Sequence, residues 1–105
     1  MNILLDECTP RVVRRYLPQY NVRTVQEMGW AGLKNGALLA AADGKFDVLI
    51  TTDKNLRYQQ NFAGRDFAVL VLPSNQVPVV ERVMPAVASA LQIIKPGVCV
   101  DIPLP

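Results

Sequence analysis

Two aspartates stand at the ends of strand-like apolar runs. Asp6 closes Asn2-Ile3-Leu4-Leu5, and Asp53, 47 positions later, closes Val48-Leu49-Ile50-Thr51-Thr52. A carboxylate is costly to bury unless it is paired, hydrogen-bonded or metal-bound, so an acid ending a hydrophobic strand has a task. In a parallel α/β sheet the carboxyl ends of the strands share one edge, where residues distant in sequence meet. Two carboxylates there form a ligand set for a hard cation such as Mg²⁺. The modest alternative is local: Asp6 capping a following helix and Asp53 capping the turn at Lys54-Asn55. Thr9 offers the better helix cap, which frees Asp6 and Glu7 for chemistry. Successive strand residues point to opposite faces, so Asp6 rather than Glu7 is expected to face the site, unless the strand has already turned.

Other chemistries are excluded by composition. The chain has no histidine, and its two cysteines, Cys8 and Cys99, are 91 positions apart without a neighbouring partner. A zinc site would lack its usual ligand combinations, and a cysteine or serine nucleophile its imidazole base. Cys99 reads as a small buried hydrophobe, and Cys8 receives no role. Eleven Lys and Arg against nine acids give a net charge of +2, too small to announce nucleic-acid binding by itself. Arg11, Arg14, Arg15 and Arg23 read as a solvated face, whereas Lys54, Arg57 and Arg65 surround Asp53 and could supply phosphate-binding charge. Asp43, Asp47, Asp66 and Asp101 fall at element ends and read as solvated, with Asp101 the best placed of them to border the same edge.

The elements that must position these residues alternate strand and helix. Thr9-Pro10 reads as an N-cap and first helical residue, with Val12, Val13, Tyr16 and Leu17 at helical spacing up to Pro18. Asn21 to Val25 reads as a short strand near an edge. Gly29, Gly32 and Gly36 punctuate a loop carrying Trp30, followed by an alanine-rich helix over Ala37 to Ala42, capped by Asn35 and ended near Gly44. Asp47 to Thr52 and Phe67 to Leu72 read as strands covered on both faces. Between them Asn55 to Asn61 reads as a short helix anchored by Leu56 and Phe62. A last helical region carries Val80, Val83, Met84, Val87, Leu91 and Ile94 on one face, and Pro85 should kink or divide it. Val98 to Ile102 gives a fifth strand. The expected fold is one α/β domain over residues 1–105, a mostly parallel sheet of four to five strands with helices on both faces. No apolar run approaches the roughly 20 residues of a membrane span, and the opening residues carry neither a basic segment nor a cleavage site, so a cytoplasmic protein is expected.

The strings Ile3-Leu4-Leu5-Asp6-Glu7, Thr24 to Gly36 (Thr-Val-Gln-Glu-Met-Gly-Trp-Ala-Gly-Leu-Lys-Asn-Gly) and Val48 to Leu56 (Val-Leu-Ile-Thr-Thr-Asp-Lys-Asn-Leu) together resemble a family of small prokaryotic PIN-like proteins related to the toxin-type PIN nucleases. The likeness extends through Tyr58-Gln59-Gln60-Asn61 and the Phe67 to Leu72 strand. It implies a PIN-like three-layer sandwich and a metal-dependent endoribonuclease of toxin–antitoxin type. Mg²⁺ or Mn²⁺ would sit at Asp6 and Asp53, with Glu7 and Asn35 as second-rank site residues and Lys54 and Arg57 toward substrate phosphate. RNA is the implied substrate and a cognate antitoxin the implied partner; the oligomeric state, a homodimer included, is left open. One departure weakens the nuclease. The family carries an acid in the helix after the Gly-Trp loop, and here Asn35 and Ala37 stand in its place.

Two other classes stay in view. Asp6 and Glu7 ending one strand and Asp53 ending another also resemble a response-regulator receiver, whose aspartate accepts a phosphoryl group. Such a domain needs a Ser or Thr ending the fourth strand and a Lys ending the fifth, and the chain offers Val71-Leu72-Pro73 and Asp101-Ile102-Pro103. A non-catalytic module of a toxin–antitoxin-like complex would keep the fold and need no metal.

Overall fold

The structure, a computed structural model, describes residues 1–33, 35–56 and 64–105. In chain order its elements are β1 (Asn2–Leu5), a 3₁₀ helix (Arg11–Tyr16), β2 (Asn21–Thr24), α1 (Asn35–Ala42), β3 (Val48–Thr51), β4 (Ala68–Val71), α2 (Val77–Ile93) and β5 (Cys99–Asp101). The five strands form one sheet in the order β2-β1-β3-β4-β5, and every neighbouring pair is parallel. The expected α/β class is therefore observed, with the strand count at its upper bound. The helix expected over Asn55 to Asn61 lies almost wholly outside the described residues, although its anchor Leu56 is buried.

Strand side chains alternate between two cores. Ile3, Leu5, Val48, Ile50, Leu70 and Leu72 pack with Val13 and Leu17 of the 3₁₀ helix and with Val80, Val83, Met84, Val87 and Leu91 of α2. Leu4, Leu49, Val69 and Val71 pack on the opposite face with Leu38, Leu39 and Ala42 of α1 and with Phe46, Leu56 and Phe67. Covering the sheet on both sides explains why β3 and β4 are buried at every position, with Thr51 the one polar residue among them, rather than alternating. Each fully buried aliphatic side chain in these layers contributes roughly 1.5–3 kcal/mol by removal from water. Among the described residues no helix is long and apolar enough to cross a membrane.

Several local expectations are corrected. The first helix is 3₁₀, and Thr9 does not cap it: the residue before it is Pro10, which has no side-chain capping bond. The Thr9 hydroxyl is buried and donates instead to the Ile50 carbonyl at 3.0 Å, tying the β1 exit to β3. Asn35 is the first residue of α1 rather than its cap. Pro85 does not divide α2, which runs unbroken across it. Pro85 is on the exposed side, where the carbonyl freed by its missing N–H can meet water. Cys99 is half-buried on an edge strand, against the second core.

Candidate active site

The strand order reverses direction between β1 and β3: the chain moves outward from β1 to β2, then returns to place β3 on the other side of β1. Open α/β sheets form their ligand crevice outside the carboxyl ends of the strands at such a switch point. Asp6 follows β1 and Asp53 lies just beyond β3. They come from adjacent strands, with Leu5 in register with Ile50 and the Asp6 amide bonded to the Ile50 carbonyl at 2.9 Å. Alternation puts Asp6 on the face of Leu4, and Thr51 on that of Leu49, which is the α1 side of the sheet.

Asp6, Glu7 and Asp53 line one open hollow of about 300 Å³ together with Cys8, Val25, Leu33 and Leu38. Glu7 is therefore not sent to the far face. The strand ends at Leu5 and residues 7–8 form a turn, the condition under which both acids reach the same site. The Glu7 carboxylate also accepts the Gly32 N–H at 2.9 Å. Gly32 has a φ of +86°, a conformation that an L side chain rarely adopts, and this turn aims its N–H at Glu7. The loop is held from behind by Trp30, packed edge-to-face on Phe46 at 6.0 Å, with the Lys45 ammonium 5.3 Å from the indole centroid.

Asp6 is fixed by neutral donors. The Thr51 hydroxyl donates to its Oδ2 at 2.7 Å and the Glu7 amide to its Oδ1 at 2.7 Å. The same Thr51 hydroxyl accepts the Asp53 amide at 3.1 Å, so one fully buried side chain sets the positions of both aspartate-bearing segments. Asp53 Oδ1 accepts the Asn55 N–H at 3.0 Å. The turn-capping duty weighed for Asp53 is thus real, and it coexists with the place of Asp53 at the hollow. Cys8, given no role from the sequence, has its sulfur 3.8 Å from Asp6 Oδ2 and accepts the Thr52 hydroxyl at 3.0 Å. Thr51, Thr52 and Cys8 are site residues that sequence reasoning passed over. The available signal was the pair of hydroxyls directly preceding Asp53.

The remaining candidates divide. Lys54 is exposed beside Asp53, and Arg57 lies outside the described residues. Arg65 is corrected: it pairs with Asp43 at 3.3 Å, in the segments after α1 and before β4, at the amino edge of the sheet and away from Asp53. Arg14, read as solvated, pairs with Glu27. Asn35 opens α1 and Ala37 is exposed in its first turn, which carries no acid. Among the described residues no group of three or more His, Cys, Asp or Glu is placed to hold a metal ion. Carboxylate oxygens such as those of Asp6 and Asp53 are the donor type that Mg²⁺ takes, one or two at a time, with water completing its shell. No family model, curated protein or solved structure matches this chain.

Proposed function

We propose that the chain is a cytoplasmic, PIN-like ribonuclease of toxin–antitoxin type, dependent on Mg²⁺ or Mn²⁺ and weakened by the absence of an acid at Asn35 and Ala37. The observation that carries this reading is the joint lining of one hollow by Asp6, Glu7 and Asp53 at the switch point of a parallel sheet. Asp6 and Asp53 would hold the ion. When bound, it supplies an activated water and neutralises charge on the phosphodiester. Thr51 sets the Asp6 carboxylate and, through the Asp53 amide, the neighbouring strand exit. Glu7 holds the Gly-Trp loop closed over one side of the hollow. Lys54, exposed next to Asp53, would take a substrate phosphate.

A second reading has one observation in its favour: receiver domains share this strand order. Against it, β4 ends at Val71 and β5 at Asp101, so neither the hydroxyl nor the lysine that would stabilise a phosphorylated Asp53 is present at those strand ends.

The deciding experiment incubates the chain with a labelled RNA and millimolar Mn²⁺, in parallel with Asp6→Asn and with acetyl phosphate. Cleavage that requires Mn²⁺ and disappears in Asp6→Asn supports the nuclease. Cleavage that survives both EDTA and Asp6→Asn overturns this site. An 80 Da adduct on Asp53 after acetyl phosphate would favour the receiver. Intact RNA with no adduct and no Mn²⁺-dependent rise in melting temperature would favour the non-catalytic module.

A further inference from the structure

A second hollow opens on the same carboxyl edge. It measures about 330 Å³ and is lined by Lys54 and Asn55 on one side, by Leu72 and Pro73 after β4, and by Asp101 and Leu104 at and beyond β5. That volume is at the lower end of the range of ligand sites, about 300–1,000 Å³. The two hollows are neighbours across a single turn: Asp53 lines the first, and the next two residues, Lys54 and Asn55, line the second. The turn is not loosely placed, since Asp53 Oδ1 holds the Asn55 amide and the Asp53 carbonyl accepts the Leu56 amide, whose side chain is buried in the second core.

We propose that this second hollow is a ribonucleotide subsite, seating the nucleoside next to the phosphate that lies at Asp6 and Asp53; the proposal rests on the nuclease reading above. The chemistry divides along the wall. Lys54 offers an exposed ammonium on the rim nearer the acidic hollow, where the linking phosphate of a strand crossing the turn must pass. Leu72 and Leu104, with Pro73, give an apolar surface for a base, with Leu104 68% exposed and ready to be covered. Asp101, at the end of β5, brings a carboxylate acceptor for the hydroxyls of a ribose, the feature by which a protein tells RNA from DNA. Three acids in one hollow, and in the next a cation, a carboxylate and apolar walls, are the complementary needs of a metal-bound phosphodiester and of the nucleoside attached to it.

The test is amide NMR of the ¹⁵N-labelled chain titrated with AMP, dAMP and inorganic phosphate, without metal, so that it reads binding independently of cleavage. AMP should shift the amides of Lys54, Asn55, Ile102 and Leu104, which line the second hollow. Lys54→Ala should weaken AMP binding about tenfold, the equivalent of one charge-assisted contact, and Leu104→Ala should weaken it further without affecting the response to phosphate. Weaker binding of dAMP than of AMP, lost in Asp101→Asn, places the ribose as proposed. Absence of AMP shifts at these amides at millimolar nucleotide, or identical shifts from phosphate alone, overturns the subsite while leaving Mn²⁺-dependent RNA cleavage to stand or fall on its own assay.

Discussion

Both edges of the sheet are rich in aspartate, and they use it differently. At the amino edge Asp47 accepts the Asn2 amide at 2.7 Å, and Asp43 takes the Arg65 guanidinium and the Asp66 amide. These acids stitch segments together, and the charge of Asp43 is offset by a neighbouring cation. At the carboxyl edge the hydrogen bonds described for Asp6 and Glu7 come from a hydroxyl, a thiol and backbone amides. Neutral donors fix a carboxylate in direction but leave its charge in place, available to a ligand. The same residue type thus does structural work at one end of the strands and presents a charged surface at the other. Sequence alone assigns both groups to the ends of elements.

The comparison breaks most easily by neutralising one acid from each edge. Asp53→Asn should abolish Mn²⁺-dependent RNA cleavage, with a melting temperature equal to or above the wild type because repulsion at the hollow falls. Asp47→Ala should leave cleavage within about twofold and lower stability by ~1 kcal/mol, the net worth of one hydrogen bond. Parallel denaturant melts and cleavage rates read both, and a reversal of the two effects would remove the distinction drawn between the edges.

A smaller effect sharpens it. Ala37 is exposed in the first turn of α1, one residue before Leu38, which lines the acidic hollow. Ala37→Glu adds a carboxylate at a helix N-terminus, where negative charge is favourable, and should tighten Mn²⁺ about tenfold, or ~1.4 kcal/mol. Isothermal titration against the wild type checks this. Equal affinities would mean that α1 does not reach the ion.

The smallest effect is a pH dependence at the exit of β2, on the carboxyl edge but outside the lining of the acidic hollow. Thr24 and Glu27 form a reciprocal pair, the Glu27 amide donating to the Thr24 hydroxyl and the Thr24 amide to the Glu27 carboxylate. That backbone bond, and then Arg14, hold the Glu27 carboxyl below its usual range. A depressed folded-state value means that the stabilisation is present above the unfolded value and is lost as pH falls through the folded one. Melting temperature measured from pH 6 to pH 3 should fall less steeply for Glu27→Gln than for the wild type, starting from a lower plateau. Identical slopes would locate the acid sensitivity elsewhere.

The sheet was legible in the sequence because its centre is built from uninterrupted apolar runs, and their ends, where Asp6 and Asp53 stand, are marked by the change to polar residues. The observed strands are one residue shorter than expected at several ends, since pairing stops before the apolar pattern does. What the sequence concealed depends on contacts between segments. Thr9 reads as a cap because Thr-Pro is a helix-start signal, and only the neighbouring Ile50 carbonyl reveals its other partner. Arg65 is near Asp53 in sequence, but the intervening chain carries it to the opposite edge, against Asp43. Glu7 ranked behind Asp6 by strand alternation, a rule that lapses once the chain turns. Thr51 could not be singled out, because its task exists only when Asp6 is beside it.

The wholly parallel pairing of β1 with β3 also governs how the molecule comes into being. Thr51 and Asp6 are 45 positions apart, and the bond between them requires that whole stretch to close as a loop. Loop-closure entropy must be met before such non-local contacts return any stabilisation, which makes parallel sheets slow to assemble. A nascent chain that has emerged only through α1 therefore holds Asp6 and Glu7 beside β2 alone, without β3 and without Asp53. The hollow that brings Asp6 together with Asp53 forms only once β3, which follows α1 in the order of synthesis, has docked on β1.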